Sequence, residues 1–271
     1  MHRSTARIVL FTNALLLAFF ITGCSQANLI KKFTSPQDES TARHYVDLLR
    51  QGRYKEIEAQ ADPGIQGPEM ADQLAAMAAL FPSGEPISVK VVGVNSFHGP
   101  AVARTNITLE YEFPGKWLLA NVVTQKESTV TSLYGFHVTP IADSLEKING
   151  FTLSGKSAPQ YVVLLLAFVA VALSLYAFVV CLRTKMGKGK WVWSIICLIG
   201  VGQLGINWTT GQAGFTPLSI HLPPAGAHAA FYGPWIVYVA LPVGAVLFLM
   251  LRDRLQRTQE QKPREDAQTT A

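Results

Sequence analysis

Apolar and polar residues alternate along this chain with different periods in different stretches. Between residues 39 and 81 apolar positions recur every three or four residues: Ala42, Tyr45, Val46, Leu48 and Leu49, then Met70, Leu74, Met77, Ala78 and Phe81. That spacing places them on one face of a helix. It predicts helices over about 39–51, over 54–61 and from Pro68 onward, interrupted by Gly52 and by Asp62-Pro63-Gly64. The period then changes to two. Ile87 to Val94 is rich in β-branched residues, and Ala103, Thr105, Ile107, Leu109, Tyr111 and Phe113 alternate with Arg104, Asn106, Thr108, Glu110 and Glu112. A strand with one buried face follows, with Glu110 and Glu112 expected on its solvent side. Pro114-Gly115 supplies a tight turn into a third strand over 116–128, and 129–140 reads as a fourth. From residue 157 onward the polar phase disappears. Stretches at about 161–182, 191–208 and 231–251 carry no Asp, Glu, Lys or Arg. Each approaches the roughly 20 residues that a helix needs to cross a bilayer, so three transmembrane helices are expected.

Helices first and an antiparallel meander afterwards make an α+β domain over residues 39–140, with the helices on one face of a curved sheet. Residues 141–156 join it to the apolar region at 157–252. Ile141, Leu145 and Ile148 form one apolar side of this joint, which could rest on lipid or dock against the domain. Residues 253–271 are a polar tail. The net charge of +5 is unevenly spread: residues 27–156 hold 12 Lys+Arg against 14 Asp+Glu, and the chain from Arg183 onward holds nine against four. The basic residues flank the apolar runs on one side only, Arg183, Lys185, Lys188 and Lys190 after the first and Arg252 and Arg254 after the last. This is the positive-inside pattern, and it leaves no basic surface for nucleic acid. Trp191, Trp193, Trp208 and Trp235 fall at the ends of the runs, as interfacial belt residues would, and Gly200, Gly202, Gly205 and Gly244 would let helices approach closely. Ion-coupled transport is disfavoured by spans without ionisable carboxylates or amines.

The first residues contain Arg3 and Arg7, an apolar stretch from Ile8, and then Ile21-Thr22-Gly23-Cys24. Charged start, apolar middle and small residues make a secretory signal. The final four residues resemble the bacterial lipoprotein box. The resemblance implies that residues 1–23 are removed, that Cys24 receives lipid, and that residues 24–38 tether the domain outside a bacterial inner membrane with the tail in the cytoplasm. An uncleaved anchor over residues 8–23 is the alternative. The segments HYVDLLRQGRYKEIEAQADP, ISVKVVGVNSF, ITLEYEF, GKWLLANVVTQ and VTSLYGFHVTPI resemble the NTF2-like (cystatin-like) fold. That resemblance implies a cone in which helices and a curved sheet enclose a cavity, in a family whose members include isomerases, dehydratases and domains that only bind.

No GxGxxG, P-loop, CxxC or HExxH motif occurs, and no cofactor or metal ligand set is expected. His221 and His228 flank Pro223-Pro224 without a nearby carboxylate, which reads as a structured loop at the membrane surface. Cys181 and Cys197 read as packed free thiols. Trp117, Asn121 and His137 lie on neighbouring strands and are the candidate ligand-pocket residues, while His98 is expected in a solvated turn. The expected function is non-catalytic: an envelope lipoprotein whose external domain binds a partner protein or an apolar ligand, with membrane lipid and other membrane subunits as further partners. An envelope enzyme using His137 or Asp143 in the cone, and a sensor signalling to the tail, are the alternatives.

Overall fold

A computed structural model of the chain describes residues 30 and 32–269 apart from 101, 129, 185, 187 and 188, with side chains to residue 256. The expected signal segment and Cys24 lie outside the described residues. The chain divides into two compact units between Ile148 and Asn149. It is an α+β protein with two antiparallel sheets and, among the described residues, seven helices.

Unit 1 holds α1 (Pro36–Arg50), α2 (Tyr54–Ala59), α3 (Met70–Ala78), β1 (Ser88–His98), β2 (Val102–Phe113), β3 (Lys116–Glu127), β4 (Val130–Ile141) and α4 (Leu145–Ile148). Helix α1 begins at Pro36, inside the span expected as tether, because Pro suits the first helical turn and Asp38 and Glu39 favour its N-terminus. It ends before Gly52, whose φ of +72° closes the helix. Its buried residues Ala42, Tyr45, Val46, Leu48 and Leu49 are those of the predicted face. The four strands form a meander in the order β1-β2-β3-β4. Ile107, Leu109, Tyr111 and Phe113 of β2, with Leu118, Ala120 and Val122 of β3, point to the helix side and join one core with α1 and α3. Phe81 packs edge-on against Tyr111 and Phe113, with ring centroids 5.7 and 6.2 Å apart. At the free edge of β4 a register shift lets Leu133 exchange backbone hydrogen bonds with Gln60 and Asp62, so the end of α2 is stitched to the sheet.

Unit 2 departs from the three-helix expectation. Only α5 (Ala158–Arg183) is long and apolar enough, among the described residues, to cross a membrane. The run expected as a second span is a seven-residue helix, α6 (Lys190–Ile196), followed by β5 (Gly200–Asn207). The run expected as a third is β8 (Ile236–Leu241) followed by α7 (Val243–Thr269), and the loop between them supplies β6 (Ala213–His221) and β7 (Ala225–His228). These strands form an antiparallel sheet in the order β6-β5-β8-β7. Residues 200–241 contain seven glycines and four prolines. Each interior Gly weakens a helix by about 1 kcal/mol and each interior Pro by about 3 kcal/mol, whereas Ile206, Ile236, Val237 and Val239 favour a pleated strand.

Helix α5 meets the rest of unit 2 along one stripe: Gln160, Val163, Ala167, Ala170, Ser174, Ala177 and Cys181 are its buried residues. They alternate by three and four positions, and most are small. Trp208, expected as an interfacial belt residue, is instead 1% exposed. Its ring stacks on Phe151 at 5.0 Å, and its indole N–H donates to the Thr152 carbonyl at 2.7 Å. Trp191 alone of the tryptophans is mostly exposed, at 76%. The expected close approaches at glycine exist, but in another setting. A Cβ at Gly200 would lie 2.8 Å from Ala240 Cβ, and one at Gly244 would lie 1.7 Å from the carbonyl oxygen of Ile196.

That last contact is backbone against side chain, so the α6 end or the α7 start must shift to relieve it. Gly244→Ala is expected to cost about 1–3 kcal/mol and lower the thermal midpoint of the detergent-solubilised protein by several degrees. Gly214→Ala, where a Cβ meets nothing within 4 Å, should leave it nearly unchanged. Equal midpoints for the two variants would contradict this packing.

Candidate functional site

The alternation in β2 and β3 that sends Leu109 and Leu118 into the core sends Trp117, Asn121 and their neighbours to the opposite face. Asn121 stands between Thr108 on β2 and His137 on β4 in the strand register, and Trp117 stands between Glu112 and Ile141. The three pocket candidates therefore share a face of the sheet, but not the helix side on which the cavity of a cone would lie. That side is filled by Tyr45, Leu49, Leu109, Tyr111 and Phe113, each at most 2% exposed. The Asn121 amide is already committed: its Nδ2 donates to Asn106 Oδ1 at 2.7 Å and to Thr108 Oγ1 at 2.9 Å. His137 is exposed, and His98 ends β1, also exposed, rather than lying in a turn. Asp143 is hydrogen-bonded by the Lys147 ammonium and by the Ser144 N–H, which together hold its carboxyl below the usual range. A carboxylate so held is a poor general base.

Glu110 corrects the expectation of a solvated polar face. It is 2% exposed, and its Oε2 accepts a 2.6 Å hydrogen bond from the Leu145 N–H. The joint thus docks on the outer face of the sheet, with a buried carboxylate receiving the first amide of α4. Burial is the largest influence on this carboxyl and raises its pKa, against the opposing effects of the Leu145 N–H and of Lys90. Glu112 and Glu146 push in the same direction as burial. Tyr111 in the core is likewise raised by burial.

Unit 2 contains a groove of about 460 Å³ between α5 and the sheet. Leu166, Val169 and Leu173 line it from α5, Val201 and Leu204 from β5, and Phe215 from β6. Among the described residues, Gln203 is the only lining side chain with a hydrogen-bonding group. The groove has a local cause. At Gly202, with φ of +71°, the register of β5 shifts against both neighbouring strands, and Pro217, Leu218 and Ser219 have no partner on β5. The sheet is thereby opened opposite Ala170, whose small side chain cannot fill the gap. A concave surface of this size, apolar and with one polar group, suits an apolar ligand. Sequence reading missed it, although the small residues Ala167, Ala170, Ser174 and Ala177 at three- and four-residue spacing mark the face of α5 that takes a partner.

Comparison with known proteins finds no family model, no curated protein and no solved structure that matches the chain. The geometry is therefore the basis on which function is read.

Glu110 provides a pH test. A carboxyl whose folded-state pKa is raised contributes stability at pH below its ordinary value, and that contribution is lost as pH rises through the raised value. Unit 1 should therefore lose stability relative to Glu110→Gln, which keeps an acceptor for Leu145 but does not titrate, as pH rises from the ordinary carboxylate value through the raised one. Chemical denaturation at several pH values checks this. A difference between the two proteins that stays flat with pH would contradict the burial of an ionisable Glu110.

Proposed function

We propose that this chain is a non-catalytic lipoprotein of the bacterial inner membrane that is anchored by α5 and holds an apolar, chain-like ligand in the groove of unit 2. The groove is the observation that carries the reading: an almost wholly apolar cleft on a helix whose only charged residue is its last, Arg183. Helix α5 is 26 residues, about 39 Å, against a hydrocarbon thickness of about 30 Å. Its residues along the lipid side, among them Val162, Leu165 and Phe168, are more than half exposed, as lipid-facing side chains would be.

On this reading Cys24 carries lipid, unit 1 lies on the extracytoplasmic side, and Arg183, Lys190 and the tail mark the cytoplasmic side. The NTF2-like cone is the finer reading of unit 1, supported by its order of helices then strands and by the helices packed on one face of the meander. Its filled interior favours binding through an outer surface over catalysis in a cavity. The free edge of β6 adds a requirement. Unpaired backbone groups are not tolerated against hydrocarbon, so that edge is where another membrane subunit is expected to dock.

Native mass spectrometry of the full-length protein, released gently from its own membranes, tests both parts. The expected spectrum shows a chain beginning at Cys24 with a diacylglycerol increment and one retained apolar molecule. Val169→Trp, which fills the groove from an exposed position, should release that molecule and keep the lipid on Cys24. A wild-type protein that retains nothing, or a filled variant that retains as much, would overturn the groove reading. A chain still carrying residues 1–23 would overturn the lipoprotein reading.

A further inference from the structure

Residues 142–148 end unit 1, and a marginal contact holds them to its sheet. Helix α4 has four residues, none of them buried. That is well below the roughly 12–15 residues at which an isolated helix begins to hold, so α4 depends on what it lies against. The hydrogen bonds of Asp143, Ser144 and Lys147 stay within the segment: the Lys147 ammonium and the Ser144 N–H both donate to the Asp143 carboxylate, and the Lys147 N–H donates to the Ser144 carbonyl. The bond that reaches the sheet runs from the Leu145 N–H to Glu110 Oε2. Leu145 and Ile148 add half-buried apolar side chains.

Glu110 is placed to make that contact depend on its proton. Its register partners are Lys90 on β1 and Leu119 on β3, and α4 covers it. Burial is the strongest influence on the carboxyl and favours the neutral form; the Leu145 N–H and Lys90 oppose burial, and Glu112 on β2 and Glu146 on α4 reinforce it. Asp143 and Lys147, the other charged groups of the segment, are bonded to each other. When the segment lifts, the carboxyl regains water, so it holds its proton more tightly covered than open. Covering therefore takes up a proton. The covered state is favoured at low pH and loses ground as pH rises from the ordinary carboxylate value through the raised one. A neutral carboxyl keeps a carbonyl oxygen for the Leu145 N–H, so protonation removes the desolvated charge and not the bond.

We propose that Glu110 is a pH-operated latch on the joint: with its carboxyl protonated, residues 142–148 lie on the sheet, and its ionisation releases them while the strands stay folded. Release frees the chain ahead of Asn149, adding at most about 25 Å of reach, and bares the sheet beside Leu119. The core of unit 1 is untouched, because Leu109 and Tyr111, on either side of Glu110, face the helices. With the orientation proposed above, the pH that works the latch is that outside the inner membrane; the latch itself does not rest on that orientation.

The test is amide hydrogen exchange of the full-length protein in detergent at a series of pH values, with each rate corrected for the intrinsic rise of exchange with pH. Protection of residues 143–148 should fall by up to about tenfold per pH unit between the ordinary and the raised carboxyl values, the slope of a single proton. At the upper end these amides should exchange as an open segment while those of β2 and β3 remain protected. Glu110→Gln should keep the segment protected at every pH. Lys90→Gln should enlarge the fall and Glu146→Gln should shrink it, and both positions are exposed, so neither substitution endangers the fold. Protection of 143–148 that stays flat with pH, that is lost only together with the strand amides, that falls equally in Glu110→Gln, or that changes in the same direction in the Lys90 and Glu146 variants would each overturn the proposal.

Discussion

Helix α5, whose only charged residue is its last, Arg183, holds its partners by close packing against small side chains and by hydrogen bonds at its start, both on one stripe. At its start Gln160 is 3% exposed. Its Oε1 accepts from the Ser157 N–H at 2.7 Å, and its Nε2 donates to the Trp208 carbonyl at 2.7 Å, 48 residues away. Below it Ala167 and Ala170 admit β7 and β8, and Ala177 and Cys181 admit α6 and α7. The Trp208 end is fixed further by Thr152 and Phe151 and by Asn149, which bonds Tyr232 and Thr209. Remove the stripe and neither the sheet nor the short helices have a surface to fold upon.

The same stripe accounts for the groove. Residues on it are small enough for the sheet to lie close, while Leu166, Val169 and Leu173 beside it are large and stand away from the contact. Where β5 loses register at Gly202, the gap between those two sets of side chains stays open. Unit 1 follows a different logic, with a conventional two-layer core in which large side chains from α1 and the sheet fill the space between them. What is unusual there lies on the outer face, where Glu110 is covered by the joint.

Much of unit 1 was legible because each of its signals is local. The apolar spacing of α1, the alternation of β2 and the turn at Pro114-Gly115 each fall within a dozen residues, and the four strands begin and end within a few residues of where that pattern places them. Apolar length misled in unit 2. Hydropathy counts side chains and ignores the backbone, so the runs around Gly200 and Ile236 pass for helices although Gly200, Gly202, Gly205, Pro234 and Pro242 argue against it. The candidate sites were less legible. Alternation assigned Glu110 to the right face but could not show that residue 145 returns to cover it. Trp117, Asn121 and His137 share a face of the sheet, and nothing in their spacing could tell which side the helices would take.

The central claim is that unit 2 is one long helix with a sheet packed on its small-residue stripe. Backbone and Cβ carbon chemical shifts of the full-length protein in native lipids test this most directly. Strand-type shifts at Ile206, Val237 and Val239, together with helix-type shifts from Val163 to Ala177, are the predicted result. Helix-type shifts running through residues 200–207 and 236–241 would contradict it, and would restore the three-helix architecture that hydropathy alone suggests.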